Sequence, residues 1–356
     1  MRLFLGGDVM LGRGVDQILP HPGDPTLYER SARDARGYVE LAEAANGPIP
    51  WPVDYSWPWG DALAVLDDFD PDVRLVNLET SITRSGEFDF NKGIHYRMNP
   101  DNVSVLKAAR LDVCSLANNH VLDFGVSGLE ETLDALSRAR IAVAGAGRSG
   151  PIGPAILPAA GGRVVVLAFG TTSSGVPAHW AATANQPGIA LLPDLSDRTA
   201  EAVTAEVSRV KQPGDVAVVS LHWGPNWGYD VATRQVRFAH RLIDGGVDVV
   251  HGHSSHHPQP IEIYRDRLIL YGCGDLIDDY EGIRGYEQYR DDLRLLYLAT
   301  LEDGRLTTLR MAPMQAHRMR LRPASPTDSE WLYSTLNRIG SMRITLGQDG
   351  LLETRA

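Results

Sequence analysis

The sequence predicts an α/β fold, on three observations. Short apolar runs recur at 2–7, 73–77, 113–117, 141–145, 163–169, 216–221 and 247–251, the signature of strands buried on both faces. Helical patterns lie between several of them, the alternation expected where helices cover a sheet. After residue 260 the pattern changes to closely spaced strands at 261–264, 267–271, 294–301 and 305–311, joined by short turns such as Arg265-Asp266. That change predicts an antiparallel part and a second sheet.

Each element has its own signal. In 127–139, Leu129, Leu133 and Leu136 fall at i, i+4 and i+7, one face of a helix, and 197–210 and 231–244 are amphipathic and polar-rich. Thr327-Asp328-Ser329-Glu330 reads as a capping box opening a last helix that stops at Gly340. The stretch 18–60, rich in Pro and Trp, has no clear period except a helical reading over 28–45. An excursion that long is expected to cover a site, a rigid surface loop being the alternative. The organisation read from this is one domain over 1–320 carrying that insertion, with 321–356 a helix and tail packed on it.

Composition narrows the function. The 356 residues are 43% hydrophobic, enough for a substantial core. A net charge of −11 repels polyanions, so nucleic acid is not an expected partner. The two cysteines, Cys114 and Cys273, sit in apolar runs and make neither a disulfide framework nor a cysteine zinc site, which suits a reducing cytoplasm. No window reaches about 18 apolar residues and the run after Met1 is too short for a signal peptide, so no membrane insertion is expected.

Chemistry concentrates just after the predicted strands, where open α/β sheets bind ligands. Asp8 follows 2–7, Glu79 follows 73–77, Asn119 and His120 follow 113–117, His222 follows 216–221, and His253 and His256 follow 247–251. Carboxylate, amide oxygen and imidazole are ligands for hard or borderline divalent metals, and their recurrence at strand ends predicts a dinuclear metal site. The run His251-Gly252-His253-Ser254-Ser255-His256-His257 strengthens it, because four imidazoles in seven residues are costly in a core without a task. Taken singly, each of these residues also fits a turn or a hydrogen-bonded structural role.

These residues resemble the CapA-like proteins, named for poly-γ-glutamate capsule synthesis, within the calcineurin-like metallophosphoesterase superfamily. The resemblance rests on Gly7-Asp8-Val9-Met10-Leu11-Gly12-Arg13, Asn77-Leu78-Glu79, Ala117-Asn118-Asn119-His120 with Asp123 and Gly125, His222-Trp223-Gly224, and Gly252-His253 followed by His256. It implies a four-layer αββα sandwich of two mixed sheets and two divalent ions, manganese, zinc, iron or magnesium. Glu79 would bridge them, Asp8 and His256 would serve one, and Asn119, His222 and His253 the other. His120 would act as acid or base. Superfamily phosphatases usually place a ligand His where this chain has Met10, and many relatives have an Asn where it has Gly274-Asp275. Asp275 is therefore an added ligand, anchor or proton acceptor, and His120, His251, His257 and Asp275 are bases beyond those needed as ligands.

Lys92, His95, Tyr96 and Arg97 form a basic, partly aromatic segment suited to a carboxylate or phosphate, as is Arg13. Trp223, Trp227 and Tyr229 flank His222 and would line a groove for an extended substrate. Surface and packing roles are the alternatives for both groups. The run Gly145-Ala146-Gly147-Arg148-Ser149-Gly150 fits a dinucleotide fingerprint, but Pro151 and Pro154 stand where its helix would start. Three functions follow: Cα epimerisation of a peptide residue, the preferred expectation; hydrolysis of a polyglutamate-type amide or a phosphoester; and a metal-stabilised module without activity in polymer assembly. Oligomeric state leaves no mark in the sequence.

Overall fold

Two mixed sheets carry the structure, and the apolar runs of the sequence are their central strands. The computed structural model describes residues 1–30 and 32–355. The ten-stranded sheet is centred on Arg2–Val9, which pairs in parallel with Val73–Leu78 and antiparallel with Leu293–Glu302. Val113–Ser115 and Ala142–Ala144 extend it in parallel beyond Val73–Leu78. The six-stranded sheet runs Ile261–Tyr264, Arg267–Leu270, Val249–His253, Val216–His222, Gly162–Gly170 and Ala155–Ala159, with antiparallel pairs at its two edges.

Side-chain alternation explains why its strands read as continuous apolar runs. In Gly162–Gly170, Val164, Val166 and Ala168 face the core shared with the larger sheet, while Val165 and Leu167 face the other way. There they meet Ala200, Val203 and Val207 of the helix Asp197–Val210 and Phe238, Ala239 and Leu242 of the helix Thr233–Asp244. Each such large apolar side chain contributes about 1.5–3 kcal/mol by leaving water. Ser196 starts the first of these helices by accepting the Thr199 N–H on its side chain.

The strands after residue 260 pair antiparallel as expected, but they are divided between the two sheets instead of forming one of their own. The hairpin Ile261–Tyr264/Arg267–Leu270 adds to the smaller sheet and Leu293–Glu302/Arg305–Ala316 to the larger. Both Arg265 and Asp266 take positive φ, as a two-residue hairpin loop requires. The C-terminal strand Leu352–Arg355 pairs with Arg305–Ala316, so the tail is part of the larger sheet. The last helix, Pro326–Ile339, starts before the expected box because Ser325 caps it and Pro326 fits the first helical position.

In the Pro/Trp-rich excursion the helix is Arg36–Asn46, shorter than the expected 28–45. The residues before it turn back on themselves through Leu27 N–H to Arg33 O and Ala35 N–H to Pro25 O. The glycine run after 145 forms the short strand Ala146–Gly147, with no helix behind it. One glycine sets the site. A side chain on Gly7 would lie 1.8 Å from the Gly274 carbonyl oxygen, so only glycine lets Asp275–Ile277 pair alongside Arg2–Val9. That register puts Asp275 opposite Asp8, while Asn77 stands opposite Asp8 on its other side.

Candidate metal centre

The ends of the central strands from both sheets converge. Asp8 ends the first strand, and His222 and His253 are register partners at the ends of Val216–His222 and Val249–His253. One ligand atom from each of Asp8, His222 and His253 lies within 4.8 Å of the others, and all three residues are buried. The two imidazoles meet Nδ1 to Nδ1 at 2.9 Å, and Asp8 Oδ1 is 3.7 Å from His253 Nδ1. Glu79 joins from the neighbouring strand end, its Oε2 3.9 Å from His222 Nδ1. Asn119 Oδ1 accepts from His222 Nε2 at 3.0 Å.

Asn77 holds the carboxylates in place. Its single amide nitrogen donates to Asp8 Oδ1 at 2.8 Å and to Glu79 Oε2 at 2.9 Å. Asn118 in turn donates to the Asn77 side-chain oxygen at 3.0 Å and to Leu78 O at 2.8 Å. Both asparagines lie inside the motifs Asn77-Leu78-Glu79 and Ala117-Asn118-Asn119-His120, beside the expected ligands and not among them. Their signal was position: Asn77 lies two residues before Glu79, on the same side of an extended segment.

Electrostatics fit a cation. Burial pushes the Asp8 carboxyl up to about 7, with Asp275's charge adding to the effect. Burial and the charges of Asp8 and Asp275 likewise raise Glu79. The imidazoles of His222 and His253 are held well below their ordinary value, first by burial, so both rings are neutral and offer lone pairs. Repelling carboxylates beside neutral imidazoles, shielded from water, form the donor set that a divalent ion neutralises. The buried thiols of Cys114 and Cys273 take no part; burial raises both.

His256 stands to one side. Its Nδ1 lies 3.1 Å from both Asp275 oxygens, and its Nε2 lies 2.9 Å from the Asn226 side-chain nitrogen. Burial opposes charge on this ring, yet Asp275 outweighs it and holds the pKa above the ordinary value. Tyr280 also donates to Asp275, so this carboxylate is tied behind His256 instead of lining the cavity.

His120 faces the centre as an oriented base. Its Nδ1–H donates to Asp123 Oδ2 at 2.7 Å, which leaves Nε2 toward Glu79 Oε1 at 3.8 Å. Burial lowers its pKa to about 4. Lys92 pairs with the other Asp123 oxygen and also donates to Asn119 O. Tyr96 packs edge-on against His120 with ring centres 4.7 Å apart.

A cavity of about 1070 Å³ opens over Glu79, Asn119, His120, His222 and His256. Its far wall includes Tyr38, Leu41, Ala42 and Ala45, so the helix Arg36–Asn46 covers the centre. Arg13 also lines the cavity, but its guanidinium is committed to Asp279 at 2.5 Å and Glu29 at 2.9 Å, between the Tyr38 and Tyr96 rings.

Several predicted residues lie elsewhere. Trp223 is buried in the core between Tyr271 and Phe238, its indole N–H donating to Tyr271 O at 2.9 Å. It cannot line a groove, because strand alternation turns it away from the face that His222 presents. His257 is similarly spent: Gly228 N–H donates to its Nε2 at 3.1 Å and its Nδ1 donates to Pro258 O at 3.0 Å. Tyr229 packs on His257 and Tyr289, outside the cavity lining. His95 is buried against Phe88 and Phe124 with Nε2 donating to Asp89 O at 2.7 Å. Arg97 donates to Ser85 O and Asp24 O. His251, counted as a spare base, bonds Gly6 O and Ser220 deep between the sheets.

Comparison with known proteins agrees with these motifs. A sequence profile described as "Bacterial capsule synthesis protein PGA_cap" matches residues 2–280. The chain is 55% identical over 360 residues to a probable polyglutamine synthesis accessory protein of Mycobacterium tuberculosis, covering 99% of this chain and 95% of the relative. It is 28% identical to the PGA biosynthesis protein CapA of Bacillus subtilis, over 82% of this chain and 66% of that one. The capsule biosynthesis protein CapA of Bacillus anthracis is 25% identical over 95% of this chain and 73% of its own length.

Proposed function

Because this chain belongs to the bacterial capsule synthesis protein PGA_cap family, we propose that it is a metal-dependent hydrolase acting on an amide bond of a polyglutamate-type polymer during polymer synthesis. The observation that carries this reading is the meeting of Asp8, His222 and His253 within 4.8 Å, with two neutral imidazoles beside buried carboxylates that, among the described residues, have no Lys or Arg within 4 Å. Asp8, His222, His253, Glu79 and Asn119 would hold two divalent ions, manganese, zinc, iron or magnesium, with His256 at the cavity wall. Bound there, such ions supply Lewis acidity toward a carbonyl or phosphoryl oxygen and acidify water.

The chain's own groups handle the proton. Asp123 fixes the His120 ring, so Nε2 takes a proton from attacking water and returns it to the leaving amine. This favours hydrolysis over Cα epimerisation, which needs two opposed bases. Of the four bases beyond the ligand set, His251 and His257 are internally bonded and Asp275 is tied to His256 and Tyr280, so among them His120 is the one that lines the cavity. The relatives' names refer to polymer synthesis and give no support to epimerisation.

A polyanion meets a protein of net charge −11, so attraction must be local. Arg13 and Lys92 on the wall are already paired with carboxylates. Arg284, exposed on the same wall, has no carboxylate within 4 Å among the described residues and is the cation free to receive one. The same reading takes the two sheets and their helices as the αββα sandwich of the metallophosphoesterases. It places the protein in the cytoplasm, where the buried free thiols stay reduced.

The test is incubation of metal-loaded protein with poly-γ-glutamate and, separately, with bis(p-nitrophenyl) phosphate, in D₂O. New amine ends from the polymer are expected. Phosphate ester cleavage alone would move the substrate class to phosphoesters, and deuterium at Cα without chain cleavage would restore epimerisation.

A further inference from the structure

Between the two sheets a line of hydrogen bonds runs from a backbone carbonyl to a ligand imidazole. Ser220 and His251 are register partners on the smaller sheet, each two residues before His222 and His253, so all four side chains share the face turned to the larger sheet. The line starts at Gly6 O, which accepts from His251 Nε2 at 2.8 Å. Ser220 Oγ lies 3.1 Å from His251 Nδ1 and 2.9 Å from His253 Nε2. His253 Nδ1 then faces His222 Nδ1 at 2.9 Å.

A carbonyl only accepts, and that fixes the direction of every bond after it. The neutral His251 ring donates from Nε2 to Gly6, so its Nδ1 has only a lone pair. The single Ser220 hydroxyl hydrogen goes to that lone pair. The Ser220 oxygen is then left to accept, and the partner that donates to it is His253 Nε2–H. Neutral His253 consequently keeps its lone pair on Nδ1, the atom beside Asp8 and His222. From the other end, His222 donates from Nε2 to Asn119 Oδ1, so its Nδ1 is a lone pair as well. Two facing lone pairs at 2.9 Å repel unless a cation or a proton lies between them.

We infer that Ser220 and His251 are positioning residues that hold His253 in its Nε2–H tautomer, so that Nδ1 presents a lone pair to a divalent cation. This rests on the metal reading above and assigns roles to two residues that touch no substrate. It also ties the ligand to the packing of the sheets, since Gly6 belongs to the larger sheet and the other three residues to the smaller.

Two measurements on the full chain test it. Manganese and zinc are titrated into metal-free wild type, Ser220→Ala and Ser220→Thr by calorimetry. Removing an outer partner of a ligating His weakens binding by about 10–100-fold, so that loss is expected in Ser220→Ala and recovery in Ser220→Thr, which keeps the hydroxyl. Separately, ¹⁵N NMR of metal-free wild type should show His253 protonated at Nε2, and Ser220→Ala should gain the Nδ1–H form. Affinity in Ser220→Ala within about twofold of wild type, or a wild-type His253 protonated at Nδ1, overturns the inference. A wild type that binds no divalent ion refutes the metal reading instead, and the NMR result still decides the tautomer.

Discussion

Arg13→Met should be among the most damaging single changes outside the metal ligands. The Arg13 side chain is 3% exposed, and its partners Glu29 and Asp279 are 4% and 0% exposed. Methionine keeps much of the length and the contact with the Tyr38 and Tyr96 rings, but strands two buried carboxylates. Breaking a buried pair by removing one partner costs about 3–5 kcal/mol, mostly the penalty of the charge left behind. With an unfolding entropy of about 2.1 cal/mol/K per residue over 356 residues, that lowers Tm by about 4–7 °C. The loss has a direction in space. Glu29 and Tyr38 belong to the covering excursion and Asp279 to the cavity wall, so the cover should loosen and limited proteolysis should nick 18–60 first. Calorimetry and timed proteolysis read both effects. A Tm within about 1 °C of wild type, with no new cleavage in 18–60, would refute the role given to this arginine as the tie between cover and site.

His120→Ala should leave metal content unchanged and reduce turnover about 10²–10⁴-fold, the usual share of a general acid–base; unchanged turnover would remove His120 from the chemistry. Trp223→Ala should cost about 3–5 kcal/mol in urea melts through the cavity it leaves, with KM unmoved; a raised KM at full stability would put the indole back at the substrate. Asp16 gives a pH dependence. Burial raises its carboxyl from 3.8 to about 6, although Gly23 N–H, Asn99 N–H and the Asn102 amide all donate to it. The native state therefore holds a proton that the unfolded chain releases. The associated stability is present below pH 3.8 and lost as pH rises through 6, a change of about 3 kcal/mol at 1.36 kcal/mol per unit. Asp16→Asn lacks that fall, so its stability relative to wild type should rise between pH 4 and 7 in urea melts, and a pH-independent difference would contradict the assignment.

The central strands were legible because burial on both faces writes continuous apolar runs, as in Val164 to Ala168. Their ends were legible because polar groups follow each run directly. What failed were inferences from closeness in sequence. Trp223 beside His222 and His257 beside His256 read as site residues in the sequence, yet Trp223 follows the strand alternation into the helix-side core, and the bend after Val249–His253 turns His257 to Gly228 and Pro258. Other features had no sequence signal. Arg13 caught between Glu29 and Asp279 and Ser220 linking two imidazoles depend on which segments far apart in the chain come together. The late hairpins carried a correct local pattern, but which sheet each would join is a tertiary choice.

The claim beneath the rest is that these strand ends cage divalent ions. Wild type, Glu79→Ala and His253→Ala, each dialysed against manganese or zinc and then freed of excess, can be analysed for metal per chain by mass spectrometry. Two ions per chain in the wild type, and a loss in both variants with the fold retained by circular dichroism, is the result predicted here. A wild type that comes through metal-free, or variants that hold as much metal as it does, would contradict it.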